Sequence, residues 1–229
     1  MGNFTLDTLW KQVKFRMGQR NDLEQVGTDV LNYYEMWVNQ AYTQICAADY
    51  LFGVPKKVII PQLETSVTET TTASTPYITL PTSASIIRHV FDNTNHYRLR
   101  WIPEAKYVNY ADRDNTSAYS NPTEWARLEN KIYVHPTPNS DVSITVFYKQ
   151  MPTLLTGEAT TAIGGEWDEV IVSIATYKAM LWLGEYEKAE IVKGEIVDLL
   201  TAIIPPVHQE EKDRREWRRP DEAYILSWG

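Results

Sequence analysis

The hydrophobic period of this chain changes twice, and that narrows the folds open to it. As far as Tyr50, apolar side chains recur at three- and four-residue steps. From Val58 to Lys149 they alternate or gather in short Val, Ile and Thr runs broken by prolines, and from Glu166 to Ile204 the helical step returns. This order predicts an α+β chain, an antiparallel helical bundle with a β-rich insertion. Residues 1–52 form the first half of the bundle, 53–165 the insertion, 166–204 the second half, and 205–229 an extended C-terminal arm.

Within the first helical stretch, Thr5 is placed to cap a helix carrying Leu6, Leu9, Trp10 and Val13, and Gly18 is placed to stop it. A longer helix, from about Val26 to Tyr50, sets Val30, Leu31, Tyr34, Trp37, Val38, Ala41, Tyr42, Ile45 and Cys46 on one wide stripe. Cys46 is the sole cysteine, so no disulfide framework exists, and its place on the stripe marks a buried thiol. After Gly164-Gly165, a helix from Glu166 to about Gly184 carries Val170, Ile171, Ile174, Tyr177, Leu181 and Trp182. A second, from about Tyr186 to Ile204, carries Ala189, Ile191, Val192, Ile196, Leu199, Leu200 and Ile203. The connection is so short that the two must be antiparallel neighbours. Trp37 and Trp182 are expected in one shared helical core.

The middle of the chain reads as short strands near 57–60, 64–70, 77–80, 86–91 and 96–102, with 70–75 as a hairpin tip or mobile loop. Pro103 suits the first position of a short helix. A hairpin is expected where Thr123–Leu128 meets Lys131–His135 across Glu129-Asn130, followed by a strand from Val142 to Lys149.

Searching for chemistry returns little. The chain has no nucleotide-binding glycine loop, no nucleophile elbow, no HExxH and no EF-hand loop. Its four histidines, His89, His96, His135 and His208, show no metal-ligand spacing, and His89 with Asp92 reads as a local surface pair. The adjacent acids Asp168-Glu169 and the nearby Glu185 and Glu187 sit at helix ends, where carboxylates are commonly solvated or held by the dipole. No catalytic residue, metal or cofactor is expected, and the chain is read as a non-enzyme. No run reaches the roughly 18 apolar residues of a membrane span.

Net charge is −8, and its distribution matters more than the total: residues 166–204 hold 8 acids against 3 bases, while 53–165 balance 10 with 10. A protein gripping a nucleic-acid backbone needs a basic stripe, and none is visible. The last 25 residues, beginning Pro205-Pro206, carry 6 acids and 5 bases, too many charges to form a core. An extended arm is one reading of this stretch and a frayed terminus the other. The arm gains weight because Trp217, Tyr224 and Trp228 are costly to leave in water, while Arg214, Arg215, Arg218 and Arg219 suit paired contacts with carboxylates.

One resemblance covers nearly the whole chain. A helix bearing Trp37-Val38-Asn39-Gln40-Ala41-Tyr42 leads into the β region, with Tyr119-x-x-Pro122-x-x-Trp125 and Ile132-Tyr133-Val134-x-Pro136-x-Pro138. Val146-x-Tyr148 and Leu154-Leu155 follow, and then Glu166-Trp167-Asp168-Glu169 opening a helix pair. In their order these resemble the head-to-tail connector adaptors of tailed bacteriophages. The resemblance implies a virion structural protein at the head–tail junction, made in the host cytoplasm. It implies neighbouring copies of the same chain in a ring, a dodecamer, beneath the portal protein. A downstream tail protein would lie on the other side, with DNA passing through the channel without specific binding and no membrane partner. It also implies that Arg214, Arg215, Trp217, Arg218, Arg219, Tyr224 and Trp228 form a portal-binding arm. The alternative class is a carbohydrate-binding or cell-wall-acting tail protein, for which eight tryptophans and fourteen tyrosines supply stacking surfaces.

Overall fold

The protein is described from a computed structural model for residues 3–24, 32–55, 57–72, 75–113 and 121–204. Two compact units emerge, one from both ends of the chain, up to Ile59 and from Leu154, the other from Ile60–Thr153.

The first unit contains four helices: α1 (Leu6–Arg16), α2 (Tyr33–Ala47), α4 (Asp168–Trp182) and α5 (Tyr186–Ile203). Thr5 caps α1 by accepting the Thr8 N–H at 3.2 Å. Both α1 and α4 end in the same way. At each, the glycine just past the end takes a positive φ (Gly18 at 73°, Gly184 at 77°), and the residue after it donates back across the last turn, Gln19 to the Lys14 carbonyl and Glu185 to that of Met180. Only glycine adopts that backbone without a Cβ penalty, so both ends are written in the sequence. Asn32 starts α2 by accepting the Tyr34 N–H, and Ala48, in an extended conformation, ends it. The helix is therefore shorter than the expected 26–50, and Val30 and Leu31 lie outside the described residues. Packing is centred on α4, which lies against α1, α2 and α5. Its residues Val170, Ile171, Val172, Ile174, Ala175 and Ala179 are all buried, as are Leu9, Val13, Trp37, Val38, Ala41 and Ile45 opposite. Cys46 is buried among them.

The second unit holds α3 (Glu104–Arg113) and eight strands: β1 (Glu64–Thr71), β2 (Tyr77–Thr79), β3 (Ala84–Asp92), β4 (Tyr97–Arg98), β5 (Arg100–Trp101), β6 (Glu124–Leu128), β7 (Lys131–His135) and β8 (Val142–Gln150). They form two four-stranded sheets, ordered β1-β8-β3-β4 and β2-β7-β6-β5. All pairs are antiparallel except β5 with β6. The hairpin across Glu129-Asn130 is present, with Leu128 opposite Lys131.

An antiparallel helical bundle with an insertion does not describe this molecule, and that expectation is corrected. Among the described residues the protein is α+β with five helices and two sheets, and the sheets carry an apolar core of their own. Ile78, Val90, Leu99, Ile132, Val134, Ile144 and Val146 pack together there. The physical reason is the period of two: each strand buries one face, so opposed strands complete a core among themselves without needing helices to cover them. One local expectation also changes. Residues 57–60 form no strand; Val58 instead donates to the Asp49 carbonyl at 2.8 Å, and Pro61 opens a turn of 3₁₀ helix. Thr70 and Thr71 belong to β1, and just beyond it Thr72 and Thr75 exchange both backbone hydrogen bonds at 3.1 Å, as residues flanking a tight turn do, although β1 and β2 belong to different sheets. The expected C-terminal arm, 205–229, lies outside the described residues.

Candidate interaction surfaces

The side chains singled out for chemistry are occupied with holding the fold. Asp92 is fully buried at the end of β3, where its carboxylate accepts the Thr94 and Asn95 backbone N–H groups at 2.9 Å and the Asn95 side chain at 2.8 Å. That is a turn-forming carboxylate. His135 stacks on the Tyr110 ring, centroids 4.6 Å apart, and His96 sits in the turn at a φ of 60°. Among the described residues no group of three or more His, Cys, Asp or Glu side chains is arranged to hold a metal.

Asp168 and Glu169 part company. Asp168, buried at the start of α4, accepts the Phe4 N–H at 2.7 Å and the Thr161 hydroxyl at 3.2 Å, while Glu169 is exposed and pairs with Arg16 at 2.7 Å. Burial pushes the Asp168 carboxyl up; the bonds from Phe4 and Thr161 pull against it without prevailing. Together with Asn3, whose side-chain amide donates to the Thr161 and Ile163 carbonyls, this carboxylate ties the start of the chain to the entry of α4. Glu185 pairs with Lys188 at 3.1 Å.

A groove of about 780 Å³ runs along α2, lined by Asn32, Glu35, Met36, Gln40 and Thr43 on one side and by Leu154, Thr156 and Lys178 on the other. Burial lowers the Lys178 ammonium pKa. Beside it a series of rings leads outward: Trp10 to Tyr34 (6.4 Å), Tyr34 to Trp37 (5.7 Å) and Trp37 to Trp182 (5.9 Å), with Tyr33 5.3 Å from Trp182. Trp37 is 2% exposed and Trp182 57%, so of the two tryptophans expected in one shared helical core only Trp37 is buried, with the Trp182 ring packed against it at the surface. Burial pushes the phenols of Tyr34 and Tyr42 up to about 12. Each is hydrogen-bonded, Tyr34 donating to the Arg20 carbonyl and Tyr42 accepting the Ala162 N–H.

In the second unit the chain crosses from one sheet to the other at buried Leu99, whose N–H donates to Val90 while the next N–H, of Arg100, donates to Thr123. Arg98 and Trp101 are displayed on either side of that crossing, beside a cleft of about 380 Å³ lined by Arg88, Arg98, Trp101, Trp125 and Arg127. Arg88 is held by Glu64 at 3.0 Å. Arg127 points its guanidinium at the carbonyls of Ala84, Ser85 and Glu129, and among the described residues no carboxylate forms an ion pair with it. Arg98 is exposed, and no ion pair joins it to any described carboxylate. Trp101 is 59% exposed and sits in register with Trp125, which is buried. Nearby Glu124 is buried beneath Arg100 and Lys106, and the Arg100 guanidinium holds its carboxyl below the ordinary range.

Sequence reasoning missed this cleft because Arg88, Arg98 and Arg127 lie far apart in the chain. The available signal was Arg98-x-Arg100-Trp101, an apolar ring beside two cations in a strand. The arm residues Arg214, Arg215, Trp217, Arg218, Arg219, Tyr224 and Trp228 lie outside the described residues. A family model described as SU10 adaptor protein matches residues 4–223. No curated protein matches the chain.

Proposed function

From the premise that the chain belongs to the SU10 adaptor protein family, and so is a structural adaptor of a bacteriophage virion associating with other virion components, we propose that it forms a ring beneath the portal. The resemblance to phage head–tail adaptors stands with that membership. In this reading the ring is a dodecamer that joins the portal to the next tail protein, and DNA passes along its axis without specific binding. The observation that carries it is the reach of the family match, which spans the helices and both sheets and continues to residue 223 in the charged C-terminal segment. A net charge of −8 repels a passing phosphate backbone, as a channel wall should. Unlike flanks on one subunit close into a ring when the rotation between copies permits. The portal contact belongs to the arm, with Trp217, Tyr224 and Trp228 as apolar anchors and Arg214, Arg215, Arg218 and Arg219 pairing with portal carboxylates.

Electron microscopy of portal-bearing, tailless heads mixed with the purified chain tests this reading. The expected image adds a ring of density at the portal vertex alone. Failure to bind, or labelling of the tail tip in complete virions, overturns it.

A further inference from the structure

Helix α5 has an outward face that folding does not explain. At about 100° per residue, Glu187, Ile191, Gly194 and Asp198 fall on one narrow stripe, directly opposite the buried Ala189, Val192, Ile196 and Leu200. Ile191 is 68% exposed. Beside Gly194 nothing lies within 4 Å of where a Cβ would sit, so the helix has a notch next to an exposed isoleucine. Glycine weakens a helix interior, and here no neighbour among the described residues requires its lack of a side chain. Glu187 and Asp198 bracket the notch, and neither is in an ion pair with a described residue. The neighbouring Glu190 and Glu195 are engaged, with Lys193 at 3.1 Å and Arg16 at 3.7 Å. Acid, apolar knob, notch and acid follow one another within eleven residues of rise, about 16 Å.

The cleft of the second unit presents the opposite set. Among the described residues Arg98 has no ion-pair partner and the Arg127 guanidinium is bonded by carbonyls alone, and Trp101, 59% exposed, lines the same cleft. Arginine forks match carboxylates, and a flat indole suits a glycine notch beside an aliphatic side chain.

We infer that the Arg98–Trp101 cleft of one copy receives the Glu187–Asp198 face of α5 from a second copy of this chain. The inference rests on the ring reading and supplies its subunit contact: cleft and stripe are unlike surfaces on one chain, so the contact is head-to-tail and propagates around a ring instead of stopping at a dimer. Charge complementarity selects the occupant, since a chain of net −8 meets here a site that is locally basic, and the unpaired acids lie on a face shaped to present them.

Charge-swap variants of the full chain test it by sedimentation velocity at low salt, with far-ultraviolet dichroism to confirm folding. Arg98→Glu weakens self-association about tenfold or more by setting like charges face to face, and so does at least one of Glu187→Arg and Asp198→Arg. Combining Arg98→Glu with that reversal in one chain, or mixing the two single variants, restores association. If every folded variant associates as the wild type does, or no combination restores what a single reversal loses, the inference falls. The same variants are also scored on portal-bearing heads. A wild-type ring that the swaps leave intact removes this contact and keeps the ring reading, whereas no ring from the wild type removes both.

Discussion

Asn39 and Leu155 hold each other by a reciprocal pair of hydrogen bonds: the Asn39 side-chain amide donates to the Leu155 carbonyl at 3.0 Å, and the Leu155 N–H donates to the Asn39 Oδ1 at 2.8 Å. A side chain in the middle of α2 thus pairs as a backbone would, giving an irregular segment both of the partners that a strand neighbour normally supplies. Asn39→Ala removes both bonds and leaves Leu155, which is buried, with two unpaired polar groups. The expected loss is about 1–3 kcal/mol, read from the midpoint of urea unfolding. A midpoint equal to that of the wild type would mean that water replaces the amide at no cost.

That pair shows how legibility divides. Asn39 and Leu155 both stand in the motifs that carried the family resemblance, yet nothing in either motif says that they touch. Local signals were readable where one residue decides the backbone: Thr5 at a cap, Gly18 and Gly184 at helix ends, Glu129-Asn130 between two strands. Strand partners were not, because alternation marks a face without naming a neighbour, and β1 joins β8 across seventy residues. The same limit underlies the expected bundle: by alternation alone short strands are an accessory to the helices, and only their pairing gives them a core. At α5, apolar spacing alone groups Ile191 with Ala189 and Ile196, whereas its angle around the helix sets it opposite them.

Trp37 and Trp182 should respond differently to the same change. Trp37 is buried among Tyr33, Tyr34 and Trp182, so Trp37→Ala leaves a large cavity and costs roughly 3–5 kcal/mol. Trp182 is more than half exposed, and Trp182→Ala should cost about 1 kcal/mol, in proportion to the smaller area withdrawn from water. Denaturation midpoints of the two variants decide it; equal losses would show that Trp182 is buried in solution.

Asp168 makes stability depend on pH in the direction opposite to that of most carboxylates. Its folded-state pKa lies above the ordinary 3.8, chiefly through burial, so the folded protein binds this proton more tightly than the unfolded chain does. Stability from this group is therefore full below 3.8 and falls as pH rises through the folded pKa. Asp168→Asn keeps an acceptor for the Phe4 N–H and removes the titration, so its stability should lack that fall. Asp168→Ala leaves the Phe4 N–H unpaired and should be destabilised at every pH. Unfolding midpoints across the acid range separate the three proteins, and parallel curves for wild type and Asp168→Asn would contradict the assignment.

The C-terminal segment is expected to matter for attachment and little for folding. Pro205-Pro206 cannot continue α5, whose last turn closes with the Ile204 N–H on the Leu200 carbonyl at 2.9 Å. Fully stretched, the 25 residues that follow reach about 80 Å at roughly 3.3 Å each, long enough to run along a neighbouring protein. Trp217 and Trp228 lie eleven residues apart, so one extended strand sets its two indoles about 36 Å apart and needs a separate pocket for each. A chain ending at Ile204 should keep its far-ultraviolet dichroism and melting temperature and fail to mount on portal-bearing heads. Restoring the segment with Trp217→Ala and Trp228→Ala should recover little of the lost attachment, because the remaining arginines are solvated competitors for rim carboxylates and the buried aromatic anchors carry most of such an interface. Normal attachment by the shortened chain would show that the portal is met elsewhere on the molecule, and a fallen melting temperature would show that the segment packs back on its own helices.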